Sequence, residues 1–201
     1  MFPIKPGKII VATKNEGKLK EVEVLFKQES LNILLEALPK DFIMASEKGN
    51  SYRGNACLKA TFVGLSFGAF ALADDSGIEV EALEGKPGVL SARFGGRGAS
   101  DLDRINLLMD MLRASKSTSK EATFVSWVVL YDSINNQCHS FDGILKGILI
   151  DKPRGNNGFG FDPIFFLPAI GKTLAELSIK EKNVISHRGK ALQKLINFIS
   201  S

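Results

Sequence analysis

The sequence has no apolar run long enough to cross a membrane. Its longest uncharged stretch, residues 60–73, has 14 residues and is broken by Gly64, Ser66 and Gly68. A spanning helix needs about 20 mostly apolar residues. The start, MFPIKPGKIIVAT, has too little apolar sequence before Lys5 and Lys8 for a secretory leader, so a cytoplasmic setting without membrane contact is expected. Cysteine is scarce. Cys57 and Cys138 stand 81 positions apart and form neither a CxxC pair nor a metal knuckle; they read as two small hydrophobes in a reducing compartment. Lysine and arginine nowhere form a dense run, which argues against a nucleic-acid-binding stripe and for no nucleic-acid partner. Repeats and low-complexity linkers are absent as well.

What remains is an ordinary globular composition. With 44% hydrophobic and 24% charged residues, the chain is neither disordered, collagen-like nor a coiled coil. Its 201 residues suggest one domain, 1–201, with two lobes around an active-site cleft. A chain of this length buries about 70% of its unfolded surface and needs no disulfide or structural metal. Lysine plus arginine (26) exceeds aspartate plus glutamate (22), for a net charge of +4 that suits a polyanionic ligand without demanding one.

The pattern alternates strands and helices. KIIVAT at 8–13 predicts a buried strand leading into a helix over 16–28, with Leu19, Val22, Leu25 and Phe26 facing the core. LNILL at 31–35 predicts a second strand, and Ser51 caps a helix to about residue 66. FALA at 70–73 and IEVEAL at 78–83 read as strands joined by a turn at Asp74-Asp75-Ser76-Gly77, followed by an irregular glycine-rich loop over 84–98. Ser100 caps a helix presenting Leu102, Ile105, Met109 and Leu112. ATFVSWVVLYD at 122–132 is the strongest strand signal, with a hairpin partner over 138–150 after the turn at Asn135-Asn136. Thr173 and Glu176 form a capping-box pattern, and a last helix from about 187 buries Ala191, Leu192, Leu195, Ile196 and Ile199. The fold class is α/β (α+β), a mixed twisted central sheet flanked by helices.

Two familiar phosphate loops fail. Gly171-Lys172-Thr173 lacks the upstream glycine of a Walker loop, because Phe166 holds that position. Gly158-Phe159-Gly160 lacks the third glycine of a dinucleotide fingerprint, which falls at Pro163. Four other segments combine the right chemistry. Thr13-Lys14-Asn15-Glu16-Gly17-Lys18 lies where a strand hands over to a helix, where free N–H groups and the helix dipole favour an anion; an ordinary N-cap with solvated lysines would look the same. Asp74-Asp75 places adjacent carboxylates after an apolar run, which calls for a cation such as Mg²⁺ or for hydrogen-bonded partners; a polar turn is the plainer reading. Phe159 and Phe161, set among glycines beside Asp162, can face a base or simply enter the core. Ser186-His187-Arg188-Gly189 is either a polar site or a capped helix start.

Taken together, TxNxxK, ADDSG, PGxxSAR at 87–93, GFGFDPIF and SHRG follow the order and approximate spacing of one family. From Ile9 to about Leu195 the chain resembles the inosine/xanthosine triphosphate pyrophosphatases, which cleanse the nucleotide pool. The resemblance implies Mg²⁺-dependent hydrolysis of ITP, dITP or XTP to monophosphate and pyrophosphate, and a homodimer. It implies that Thr13, Lys14, Asn15, Glu16, Gly17 and Lys18 grip the triphosphate, that Asp75 is general base and metal ligand, and that Glu47 also meets the metal. Ser76 would contact substrate and Lys59 would face the phosphates. Phe159, Gly160, Phe161 and Asp162 would sandwich the purine, while Lys182, His187 and Arg188 would read its edge. Arg188, a donor only, suits a 6-keto oxygen and not the amino group of adenine. Phe161 stands where the family commonly has tyrosine or tryptophan, and Gly54 where a larger residue is usual. A purine-nucleotide sensor, a pyrophosphatase for other modified nucleotides and a basic nucleic-acid module are the competing readings.

Overall fold

The computed structural model describes residues 6–44 and 49–201. In chain order the elements are β1 (Lys8–Val11), α1 (Glu16–Gln28), β2 (Leu34–Ala37), α2 (Tyr52–Phe67), β3 (Ala71–Val80), α3 (Asp101–Ala114), β4 (Glu121–Asp132), β5 (Gln137–Leu149), β6 (Phe165–Leu167), β7 (Lys172–Thr173), α4 (Ile179–Ile185) and α5 (His187–Ser200). The strands form one seven-stranded sheet in the order β2-β1-β3-β4-β5-β6-β7. β1 runs parallel to β2 and β3, whereas β6 runs antiparallel to β5 and β7. The sheet is therefore mixed, as the coexistence of crossover and hairpin signals requires.

The chain divides into two compact units. The first comprises residues 1–75, 126–143 and 187–201, and the second residues 76–125 and 144–186. In the first unit, Val22, Leu25 and Phe26 of α1 join Ile9, Leu72 and the apolar stripe of α5 in one core cluster. A second cluster there joins Ala56, Ala60 and Val63 of α2 to Ile10, Ala73 and Tyr131. The second unit has its own core, built on Ile78, Leu108, Leu149, Phe161, Phe165 and Leu174.

Local chemistry starts the helices where the sequence signals them. The Asn15 side chain accepts from the Lys18 N–H at 2.9 Å to open α1, and Ser51 accepts from the Gly54 N–H at 3.1 Å to open α2. Ser100 and Asp103 form a reciprocal capping box on α3. α2 closes on Gly68, whose left-handed φ of 60° favours glycine.

Several expectations are corrected. Asp74-Asp75-Ser76-Gly77 is not a turn; it is the middle of the continuous strand β3. Turn propensity gave way because Lys18, Lys59 and Arg188 neutralise the carboxylates along an extended, buried backbone. β2 begins at Leu34, three residues later than the pattern suggests. Leu102 is 59% exposed, and Leu108 takes the core position on α3. The stretch 84–98 contains a 3-10 segment, Gly88–Arg93. The Thr173–Glu176 capping box opens only a single 3-10 turn; a second box, Ser178 with Glu181, opens α4, which the periodicity did not reveal.

Candidate active site

The first unit gathers its charged groups around Asp74 and Asp75. Strand β3 presents both carboxylates, 9% and 5% exposed respectively. Lys18, one turn into α1, reaches Asp74 Oδ1 at 3.0 Å. Arg188, in the first turn of α5, donates Nε to Asp74 Oδ2 at 2.9 Å and Nη1 to Glu21 Oε2 at 2.5 Å. From α2, Lys59 donates to the Asp74 carbonyl at 2.6 Å and lies 3.4 Å from Asp75 Oδ1. Asn55, one turn earlier on the same helix, donates Nδ2 to Asp75 Oδ2 at 3.0 Å. The Asn55 carbonyl oxygen in turn accepts from the Gly49 N–H at 2.9 Å, which fixes the amide.

The electrostatics follow from this packing. Burial alone would raise the Asp74 carboxyl, but Arg188, then Lys18 and Lys59, hold it well below the usual carboxylate range. Burial lowers the Lys18 ammonium despite the pull of Asp74, with Arg188 and Lys59 adding repulsion. Burial would also lower Arg188; Asp74 and Glu21 outweigh it and keep the guanidinium charged. A cavity of about 10 Å³ lies among Thr13, Lys18, Asp74 and Arg188, close to the volume of one water-sized sphere.

Asp74 and Asp75 face different partners. Both oxygens of Asp74 face cations. Asp75 meets the Asn55 amide and, at 3.4 Å, the Lys59 ammonium, and its carboxylate oxygens are hard donors that could hold a divalent cation. Among the described residues no group of three or more His, Cys, Asp or Glu side chains converges on one point. Glu47, the other expected ligand, lies outside the described residues.

The second unit builds a smaller centre on glycines. Asp162, 2% exposed, accepts from the Phe159 N–H at 2.9 Å and from Lys182 Nζ at 2.5 Å. The Lys182 ammonium also lies 4.8 Å from the Phe159 ring centroid. Gly158 has φ of 77°, and a Cβ there would collide with the Asp162 carboxylate. The Gly160 N–H donates to Asp101 Oδ2 at 2.6 Å, tying the loop to α3.

The predicted residues separate accordingly. Lys18, Lys59 and Asp75 converge with Arg188 in the first unit, and Phe159, Gly160, Asp162 and Lys182 in the second. Thr13, Asn15, Glu16 and Gly17 shape the start of α1, where Thr13 Oγ1 accepts from the Asn15 N–H at 3.1 Å. Lys14 reaches the Lys40 carbonyl at 3.3 Å. Ser76 follows Asp75 directly on β3. His187 is 3% exposed, and Gly143 allows β5 to approach its carbonyl where any Cβ would collide. Phe161, 4% exposed, packs in the second unit's core, whereas Phe159 is half-buried.

The sequence reading missed Glu21, Asn55 and Asp101. Glu21 carried a signal, because it interrupts the apolar face of α1 beside Val22 and shares a face with Lys18. Asn55 likewise sits beside Ala56 on the buried side of α2.

The Ham1 family model matches residues 9–198. The chain belongs to the Ham1 family. Among its relatives is the dITP/XTP pyrophosphatase of Thermus thermophilus, 42% identical over 94% of this chain and 90% of that protein. The dITP/XTP pyrophosphatase of Geobacter sulfurreducens is 41% identical, with 94% of each chain covered. A HAM1 protein from Coxiella burnetii superposes with a TM-score of 0.85 at 36% identity, covering 96% of this chain and 98% of that one. The Staphylococcus aureus Ham1 protein gives 0.81 at 35% identity, with the same coverage. The mixed sheet with flanking helices is thus this family's fold.

Proposed function

We propose that this Ham1-family chain hydrolyses non-standard purine nucleoside triphosphates, dITP, ITP and XTP, to the monophosphate and pyrophosphate. The names of its relatives support the reaction class, and one observation carries the assignment of roles. Asp75 is buried between Asn55 and Lys59 while its neighbour Asp74 takes the ion pairs with Lys18 and Arg188. A buried carboxylate oriented by an amide can accept a proton from water. Lys18 and Lys59 supply positive charge for the departing pyrophosphate, and the N-terminus of α1 adds backbone donors. A Mg²⁺ ion held by Asp75, with Glu47 as its second protein ligand, would neutralise phosphate oxygens.

For the base, Phe159 offers a face, and Lys182 and Arg188 offer donors that match a 6-keto oxygen and not an adenine amino group. Lys182 is the first candidate, since it already sits over the Phe159 ring. Arg188 would have to trade a carboxylate contact for the keto oxygen. His187 and Ser76 complete the proposed contacts, with both units acting as one domain. A cytoplasmic homodimer belongs to the same proposal on the sequence resemblance alone. The test is pyrophosphate release from ITP, XTP, GTP and ATP, each with Mg²⁺ and with excess EDTA. Release that requires Mg²⁺ and favours ITP and XTP is expected. Tight nucleotide binding without release would replace the enzyme with a sensor.

A further inference from the structure

Two cysteines far apart in sequence meet in the first unit. Cys57 on α2 and Cys138 on β5 are both half-buried thiols with their sulfurs 2.8 Å apart, Cys57 donating to Cys138. That is less than 1 Å beyond the ~2.05 Å of a disulfide bond. Thr61, one turn beyond Cys57, places Oγ1 3.3 Å from the Cys138 sulfur. Packing alone does not require this arrangement, since two small hydrophobes could pair with any apolar neighbour in that cluster. From this geometry we infer that Cys57 and Cys138 form a reversible redox site, closing to an intramolecular disulfide on reaction with a low-molecular-weight disulfide such as oxidised glutathione.

The chemistry balances in two exchanges. The Cys57 thiolate attacks one sulfur of the small disulfide, forming a mixed disulfide and releasing one small thiolate. Cys138, deprotonated, then attacks the Cys57 sulfur, forming the Cys57–Cys138 bond and releasing the second small thiolate. Both cysteines are oxidised, the small disulfide is reduced to two thiols, and the two cysteine protons end on those thiols. Burial and the neighbouring Cys57 push the Cys138 thiol up to about 11, which assigns the first attack to Cys57 and the resolving step to Cys138. The site adjoins the acidic centre through the chain. Cys57 lies between Asn55 and Lys59, the two α2 residues that hold Asp75.

The experiment incubates the native protein with oxidised glutathione at mildly alkaline pH and follows free thiols and intact mass. The expected wild-type product has lost both thiols and two hydrogen masses, carries no glutathione, stays unlinked to other chains, and regains both thiols in dithiothreitol. Cys138→Ser should stop at a single glutathione adduct on Cys57, because the resolving thiol is gone. Wild-type protein that retains both thiols, accumulates a glutathione on each cysteine, or links between chains would overturn the inference.

Discussion

Each unit buries a carboxylate against a helix-borne cation, yet the two centres are built differently. In the first, Asp74 shares Arg188 with Glu21 and also meets Lys18, all on regular elements. In the second, Asp162 pairs with Lys182 and accepts from the Phe159 N–H of a loop held by glycines. A network of several charges fixes each of its members. The Asp162–Lys182 pair beside a glycine loop holds a donor over an aromatic ring. The proposed function uses the first arrangement for catalytic placement and the second for recognition.

The sharpest way to break this contrast is at Asp75. Asp75→Asn should lower turnover by at least about 10²–10⁴-fold, the usual range for loss of a proton acceptor, while nucleotide affinity measured by calorimetry changes far less. Unchanged turnover would remove Asp75 from the chemistry. Next comes Arg188→Met, which removes the guanidinium from Glu21 and Asp74. A loss of about 3–5 kcal/mol in urea unfolding is expected, as for other broken buried pairs. The double variant Glu21→Met/Arg188→Met should recover part of that loss.

In the second unit, Lys182→Met should reduce the preference for ITP over ATP by about 10–100-fold in kcat/KM, with a smaller effect on kcat for ITP. Preference that survives intact would shift base reading to Arg188. Smallest is the acid response. The native Asp74 carboxyl lies far below its unfolded value of 3.8, so its contribution is complete above that pH and is lost as pH falls below it. Between pH 3.8 and 2, wild-type stability should therefore fall more steeply than that of Asp74→Asn, by at most about 1.4 kcal/mol per pH unit. Parallel curves would mean Asp74 is not ionised through its ion pairs.

The sequence made α1, α2 and α3 legible because their starts are written in side chains, Asn15, Ser51 and Ser100, and their inner faces in apolar spacing. It misled at β3, where Asp-Asp-Ser-Gly favours a turn in isolation. The partners that permit an extended strand there come from α1, α2 and α5, and no local window contains them. Ordered motifs pointed to Lys18, Lys59, Asp75 and Asp162. The resemblance singled out Asp75 over Asp74, but which cations each one meets was not legible. Phe161 shows the same limit: beside Phe159 it has the same composition, and only the packing of the second unit assigns it to the core.

Gly143 makes no hydrogen bond to either carboxylate, yet any side chain there would strike the main chain of α5 at His187. A library of every single substitution, sorted for survival, should therefore leave that column almost empty, alongside Asp75. A tolerance map of this chain would mark places of close approach as strongly as places of chemistry, and an engineer who took every empty column for a reactive one would be misled first at Gly143.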